Sequence, residues 1–97
     1  MGFKLLLTTT VRDQLVQLDS PSTETRLRKV RNALGRLEVD PQYPSLHSHK
    51  YTSIHGPNGE EVWESYVENR TPSAWRIFWH YGPGAGVITV VTITPHP

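Results

Sequence analysis

The last quarter of the chain constrains the fold most strongly, because it is patterned as a β-hairpin that carries charge inside an apolar strand. The segment AWRIFWHY is followed by a glycine-rich turn and then by the apolar segment VITVVTI. Alternation places Trp75, Ile77 and Trp79 on one face of the first strand, and Arg76 and His80 on the other. A charge at a central strand position needs a partner or a use, so Arg76 is the first candidate functional residue.

Two helices are predicted upstream of this hairpin, after a short apolar strand over 3–8. Thr9 or Thr10 can cap a first helix that runs through Leu18. A serine followed by proline at 20–21 signals the start of a second helix, which is predicted to run through Glu38. Its apolar positions repeat at helical spacing: Leu27, Val30, Leu34 and Leu37. The sequence Asp-Pro at 40–41 is expected to end it.

The rest of the chain completes an α+β domain spanning 1–97, with the order β-α-α-β-β-β. Residues 39–61 are predicted to form a long loop, part of which, near 46–54, can be an irregular strand. An alternating strand over 62–68 then precedes the hairpin. Two helices are expected to pack on the sheet face that carries the tryptophans. The opposite face, with Glu64, Glu68, Arg76 and His80, is expected to be open.

Composition excludes several classes of protein. The chain has 97 residues and no cysteine, so it uses neither a disulfide nor a thiol nucleophile. No apolar segment is long enough to span a bilayer, and the N-terminal apolar run is too short for a signal peptide. The net charge of +1 supplies no global field for nucleic acid. We therefore expect a soluble, unprocessed cytoplasmic domain that does not bind membranes.

The charges are nevertheless unevenly distributed. Five of the ten basic residues fall within eleven positions of the second helix: Arg26, Arg28, Lys29, Arg31 and Arg36. Three interpretations of this cluster remain open. It can form the solvated face of a helix, contact RNA directly, or dock on ribosomal RNA phosphates, which requires charge and not base readout.

The order of elements and three short motifs resemble the RelE/ParE toxin superfamily over most of the chain. The motifs are the basic amphipathic helix around 26–31, the strand segment WRIFW at 75–79 and the ending ITPH at 93–96. The segment LHSHK at 46–50 also resembles the leucine-then-basic segment that precedes the hairpin in that family. The resemblance implies the toxin of a bacterial toxin–antitoxin pair. Its partners would be a cognate antitoxin and, for the metal-independent mRNA endoribonucleases of the family, mRNA on the ribosome.

The resemblance also implies roles for individual residues. Arg76 matches the arginine that contacts the scissile phosphate, and His96 matches a C-terminal histidine that serves in acid–base chemistry. Lys50 lies where ribonuclease members place a basic residue. The strand before the arginine departs from the family pattern, because it offers glutamates and Tyr66 where basic residues are usual. A glutamate–arginine–histidine set occurs in part of the family, which makes Glu68 the candidate general base.

These residues would supply the chemistry of RNA cleavage at a 2′-hydroxyl, which needs a base, a cation for the phosphorane and an acid. The predicted catalytic set is Glu68, Arg76 and His96, and the predicted RNA-binding set is Lys50, Tyr66, Arg70, His80, Arg28 and Arg31. The alternative for Arg76 is a structural ion pair with Glu64 or Glu68 across the hairpin. The alternative for His96 is a frayed terminal residue.

No cofactor and no metal ion are expected. His47 and His49 have the spacing that places two imidazoles on one side of a strand, so zinc is an alternative, but the chain lacks cysteine and a nearby aspartate. The alternative to a nuclease is a binding module on the same fold. Such a module would be either a gyrase inhibitor or an inactive relative that binds a protein partner.

Overall fold

A computed structural model describes residues 2–69 and 74–95. Two helices pack on one face of a five-stranded sheet with the order β1-β5-β4-β3-β2. β1 and β5 are parallel and the other neighbouring strands are antiparallel. The predicted α+β class is confirmed. The predicted site residues Arg70 and His96 lie outside the described residues.

The first half of the chain forms one strand and two helices, as the apolar spacing predicts. Strand β1 covers Lys4–Leu7 and helix α1 covers Thr9–Leu18. The cap is Thr8, one residue earlier than predicted, since its hydroxyl accepts from the backbone N–H of Val11. A short 3₁₀ turn leads into helix α2, Glu24–Val39.

The second half forms four strands, one more than the sequence predicts with regular geometry. Strand β2, His49–His55, occupies the region expected to hold at most an irregular strand. Strand β3 covers Glu61–Tyr66, β4 covers Trp75–Tyr81 and β5 covers Val87–Pro95. The prediction of an irregular strand holds in one respect, because the register of β2 against β3 shifts before its end.

The hydrophobic core lies between the helices and the sheet face that carries the tryptophans. It contains Val11, Leu18, Leu27, Val30, Ala33, Leu37, Leu46, Ile77, Trp79, Ile88, Val90 and Ile93. Helix α2 thus buries Leu27, Val30 and Leu37 as predicted, although Leu34 is only partly buried. The face expected to be open is in fact largely closed. Glu64 is 2% exposed, Arg76 8% and His80 3%.

Aromatic side chains help to close that second face. Tyr66 packs over Arg76, and Tyr51 from β2 meets Phe78 edge-on with ring centroids 4.9 Å apart. The prediction of an open face is wrong because it takes 39–61 mainly as a loop, and so includes no strand whose side chains could cover Arg76 and Phe78. Once β2 adds to the edge of the sheet, its inward side chains cover those of β3 and β4.

Candidate active site

Arg76 lies in the middle of the helix-free face, and its side chain is nine-tenths buried. Its Nη1 donates to the carbonyl oxygens of Glu68 at 2.6 Å and Trp75 at 3.1 Å. Its Nε is buried, has no hydrogen-bond partner among the described residues, and lies 4.0 Å from Oε2 of Glu64. A buried arginine donor without a partner is costly, so Nε is suited to receive an acceptor from a ligand or a solvent molecule.

Tyr66 lies directly opposite Arg76 on the neighbouring strand. The centre of the guanidinium group is 3.7 Å from the centroid of the tyrosine ring, a close cation–π contact. The rings of His47 and His49 lie 5.0 and 6.0 Å from the same ring. Tyr66, the predicted base-stacking residue, therefore covers the guanidinium group of Arg76, the predicted phosphate ligand.

Glu64 is the carboxylate that the structure brings to this site. Its Oε1 lies 2.7 Å from Nε2 of His49, which is directly opposite on β2. Its other oxygen faces Nε of Arg76. Two cationic or ionisable side chains thus flank one carboxylate that is almost removed from water, an arrangement in which a buried charge is compensated.

His49 is held in place by the segment that precedes it. His47 adopts a left-handed conformation with φ of 47°, and its carbonyl oxygen lies 2.8 Å from Nδ1 of His49. The hydroxyl of Ser48 donates to the carbonyl of Pro41 at 2.6 Å and lies 2.6 Å from the hydroxyl of Ser65. Ser65 in turn accepts from the indole N–H of Trp79 at 2.8 Å. This hydrogen-bonded chain ties the start of β2 to the core.

Glu68, the predicted general base, directs its carboxylate towards helix α2. The carboxylate lies 3.5 Å from Arg26 and 3.6 Å from Lys29, and it accepts from the backbone N–H of Trp75. Its backbone carbonyl, and not its carboxylate, is the group that accepts from Arg76. The structure therefore places the predicted base and the predicted phosphate ligand close in the chain, with their functional atoms on different sides of the hairpin.

The remaining predicted RNA-binding residues divide between the two faces. His80 shares the face of Arg76, with Nδ1 2.8 Å from the carbonyl of Tyr81. Lys50 pairs in register with Trp63 on the helix side of the sheet and forms an ion pair with Glu61 at 3.1 Å. Arg28 and Arg31 are exposed on α2, away from Arg76. The described part of the site is thus Arg76 with Tyr66 and Glu64.

Glu60, just before β3, has a lowered pKa. Hydrogen bonds from its own backbone N–H and from that of Asn58 are the main causes, and the charge of His80 contributes. Within the described residues, no group of three or more histidines and acids could hold a metal ion. No helix in these ranges is long and apolar enough to cross a membrane.

The contact between His49 and Glu64 is the feature that sequence reasoning missed. From the sequence, His49 is considered only as a zinc ligand. Glu64 is considered only as an ion-pair partner of Arg76. The missing information was the register between β2 and β3, which lies across a bulge and a turn. The alternation of His47, His49 and Tyr51 was the available signal, since a strand there places His49 on the face of Glu64.

No family model and no curated protein sequence matches the chain. Solved structures share its fold. The YoeB/ParE toxin from Agrobacterium tumefaciens superimposes with a TM-score of 0.71 at 13% identity, covering 97% of this chain and 99% of that one. A chain of the archaeal RelE–RelB complex from Pyrococcus horikoshii gives 0.68 at 14% identity, covering 98% and 96%. The YoeB dimer from Staphylococcus aureus gives 0.66 at 8% identity, with both chains fully covered.

These superpositions cover whole chains, so they compare complete domains and not a shared motif. Identities of 8–14% carry no information about activity, but they are enough for the architecture. The resemblance predicted from the basic helix and the WRIFW strand is confirmed at this level. The chain has the fold of the RelE/ParE toxins.

Proposed function

We propose that the chain is the toxin of a bacterial toxin–antitoxin pair that cleaves ribosome-bound mRNA in the cytoplasm without a metal ion. The observation that carries the proposal is the buried Arg76, whose Nε has no hydrogen-bond partner in the described part of the chain and lies 4.0 Å from the carboxylate of Glu64. Arginine keeps its charge and can fork onto two phosphate oxygens. A carboxylate beside such a phosphate site is placed to accept the proton of a 2′-hydroxyl.

The roles in this proposal follow from the contacts. Arg76 would bind the scissile phosphate and stabilise the phosphorane, and Tyr66 would stack on a base once it moves off the guanidinium group. Glu64 is better placed as the base than Glu68, because its carboxylate faces Arg76, whereas the carboxylate of Glu68 is directed towards Arg26 and Lys29 on α2. His96 stays the predicted acid that protonates the leaving oxygen.

The proposed partners are a cognate antitoxin and the ribosome. One structural neighbour comes from the toxin–antitoxin complex RelBE2 of Mycobacterium tuberculosis. The exposed Arg28 and Arg31 on α2 form a basic surface separate from Arg76. Such a surface suits either ribosomal RNA phosphates or an acidic antitoxin segment, and both would bind it mainly through charge.

The proposal is tested by inducing the protein in bacteria and mapping new mRNA 5′ ends by primer extension. Wild type is expected to arrest growth and to produce new ends, and Arg76→Ala is expected to produce none. Because Arg76 is buried, Arg76→Lys is the second variant. Lysine keeps the positive charge but cannot bind two phosphate oxygens at once as a guanidinium group does. The variant should therefore cleave more slowly without unfolding. Arg12→Ala on the exposed surface of α1 is the matched control and should behave as wild type.

A binding module on the same fold is the second candidate, and one observation favours it. Arg76 is 8% exposed and donates to two backbone carbonyls, as a structural arginine would. Growth arrest without new mRNA ends would contradict the nuclease proposal and favour a gyrase inhibitor or another binding target. The absence of growth arrest would favour an inactive relative.

A further inference from the structure

The two hydrogen bonds of His49 fix where its protons must be. A carbonyl oxygen can only accept, so Nδ1, 2.8 Å from the carbonyl of His47, carries a hydrogen. An ionised carboxylate also only accepts, so the 2.7 Å contact between Nε2 and Oε1 of Glu64 needs a second proton. That proton is on His49, giving an imidazolium–carboxylate pair, or on Glu64. In either case the pair holds one proton more than a neutral imidazole beside a free carboxylate.

Arg76 determines which form is favoured. Its Nε lies on the other side of the carboxylate, 4.0 Å from Oε2. A neighbouring cation stabilises the ionised carboxylate, so the proton is favoured on His49. With His49 protonated, the three groups sum to a charge of about +1, and with His49 neutral they sum to about zero. The attraction of the site for a phosphate therefore depends on the proton of His49.

We propose that His49 is a positioning residue for the cleavage reaction, an inference that rests on the proposed function. By donating to Oε1, His49 fixes the carboxylate of Glu64 with Oε2 turned towards Arg76 and the bound phosphate. In the step, the 2′-O–H bond breaks and its proton passes to Oε2. The 2′ oxygen forms a bond to phosphorus, and the bond from phosphorus to the 5′ oxygen breaks. The leaving oxygen takes its proton from a separate acid.

The groups that face His49 and its proton come from two strands and one turn. Glu64 and Tyr66 lie on β3 and Arg76 on β4, while His47 precedes β2.

The test uses full-length protein, ribosomes programmed with a defined mRNA, and single-turnover rates of cleavage. His49→Ala is expected to cleave on the order of 100-fold more slowly, the effect of misplacing a reacting group. His49→Gln can still donate to Glu64 and should stay within about tenfold of wild type, the scale of one hydrogen bond. His55→Ala, an exposed histidine on the same strand, is the matched control.

Nitrogen NMR of the imidazole gives a readout that does not depend on cleavage. In wild type, both ring nitrogens of His49 are expected to carry a hydrogen, because each lies within hydrogen-bond distance of an acceptor. An Nε2 without a hydrogen in wild type would overturn the inference, because His49 could then not donate to Glu64. So would a His49→Ala variant that cleaves as fast as a cleaving wild type. If wild type makes no new mRNA ends, the proposed function fails, and the role of His49 in cleavage fails with it.

Discussion

Replacing Ser65 with alanine tests the hydrogen-bonded chain that places His49. Ser65 and Trp79 are both fully buried, and the serine hydroxyl is the acceptor for the indole N–H at 2.8 Å. Ser48 uses its own hydrogen on the carbonyl of Pro41, so Ser65 donates to Ser48. The order of donation is therefore Trp79 to Ser65 to Ser48 to Pro41.

The magnitude follows from counting what Ser65→Ala removes. The buried indole N–H loses its acceptor, which costs about 1–3 kcal/mol. The bond to Ser48 is also lost, at about 1 kcal/mol. The free energy of unfolding should fall by about 2–4 kcal/mol, which for a domain of this size lowers the melting temperature by at least about 8 °C. Urea unfolding measures this, with the exposed Ser53→Ala as control, expected within about 0.5 kcal/mol of wild type.

A double-mutant cycle with Trp79→Phe isolates the indole contact, because phenylalanine has no N–H to leave without an acceptor. In the Trp79→Phe background, Ser65→Ala should lower the free energy of unfolding by about 1–3 kcal/mol less than it does in wild type. This difference is the cost of leaving the buried indole N–H without an acceptor. The reasoning is refuted if the two substitutions are additive. It is also refuted if Ser65→Ala alone unfolds within about 0.5 kcal/mol of wild type.

Four further predictions concern the hairpins and α2. Glu68→Gln should reduce the free energy of unfolding by no more than about 1 kcal/mol, since its cationic partners are partly exposed, and should leave mRNA cleavage intact. Gly86→Ala, at φ of +73°, should destabilise the chain by about 1 kcal/mol. Gly35→Ala, exposed within α2, should stabilise it by about 0.5–1 kcal/mol in the same urea unfolding assay. Because the folded pKa of Glu60 is lowered, its stabilisation is present above its unfolded pKa and is lost as the pH falls through the folded value. Glu60→Gln should therefore melt below wild type at pH 7 and together with it at low pH.

Sequence reasoning predicted the fold well, because each element carries a local signal. The apolar spacing of α2 and the alternation of β4 are periodic over enough residues to fix both the element and its buried face. The parallel pairing of β1 with β5 is different, since it joins segments some eighty positions apart. The last segment is apolar on both faces, which is consistent with an interior strand. This pattern does not predict which strands lie on either side of it.

The candidate site was predicted less completely, because it depends on register. Arg76 stands out within its own strand, and the ion pair with Glu64 was among the alternatives. The partner of Glu64 on its other side depends on where β2 joins the edge of the sheet. In the segment before β2, His47 has a left-handed backbone conformation. No glycine stands at this position, so the sequence does not predict that conformation. The burial of the site has the same origin, since β2 and its tyrosine supply the cover.

The two glutamates of the hairpin illustrate how one strand can serve the core and the site. Both lie near Arg76 in the chain, but the carboxylate of Glu68 is compensated by two cations on α2, whereas that of Glu64 is compensated by His49 and Arg76. Arg26 and Lys29 both pair with the carboxylate of Glu68, which anchors α2 to the hairpin. On the helix-free face, the carboxylate of Glu64 lies between a histidine and a buried arginine. Of the two carboxylates, only that of Glu64 therefore lies beside the guanidinium group that is proposed to bind a phosphate.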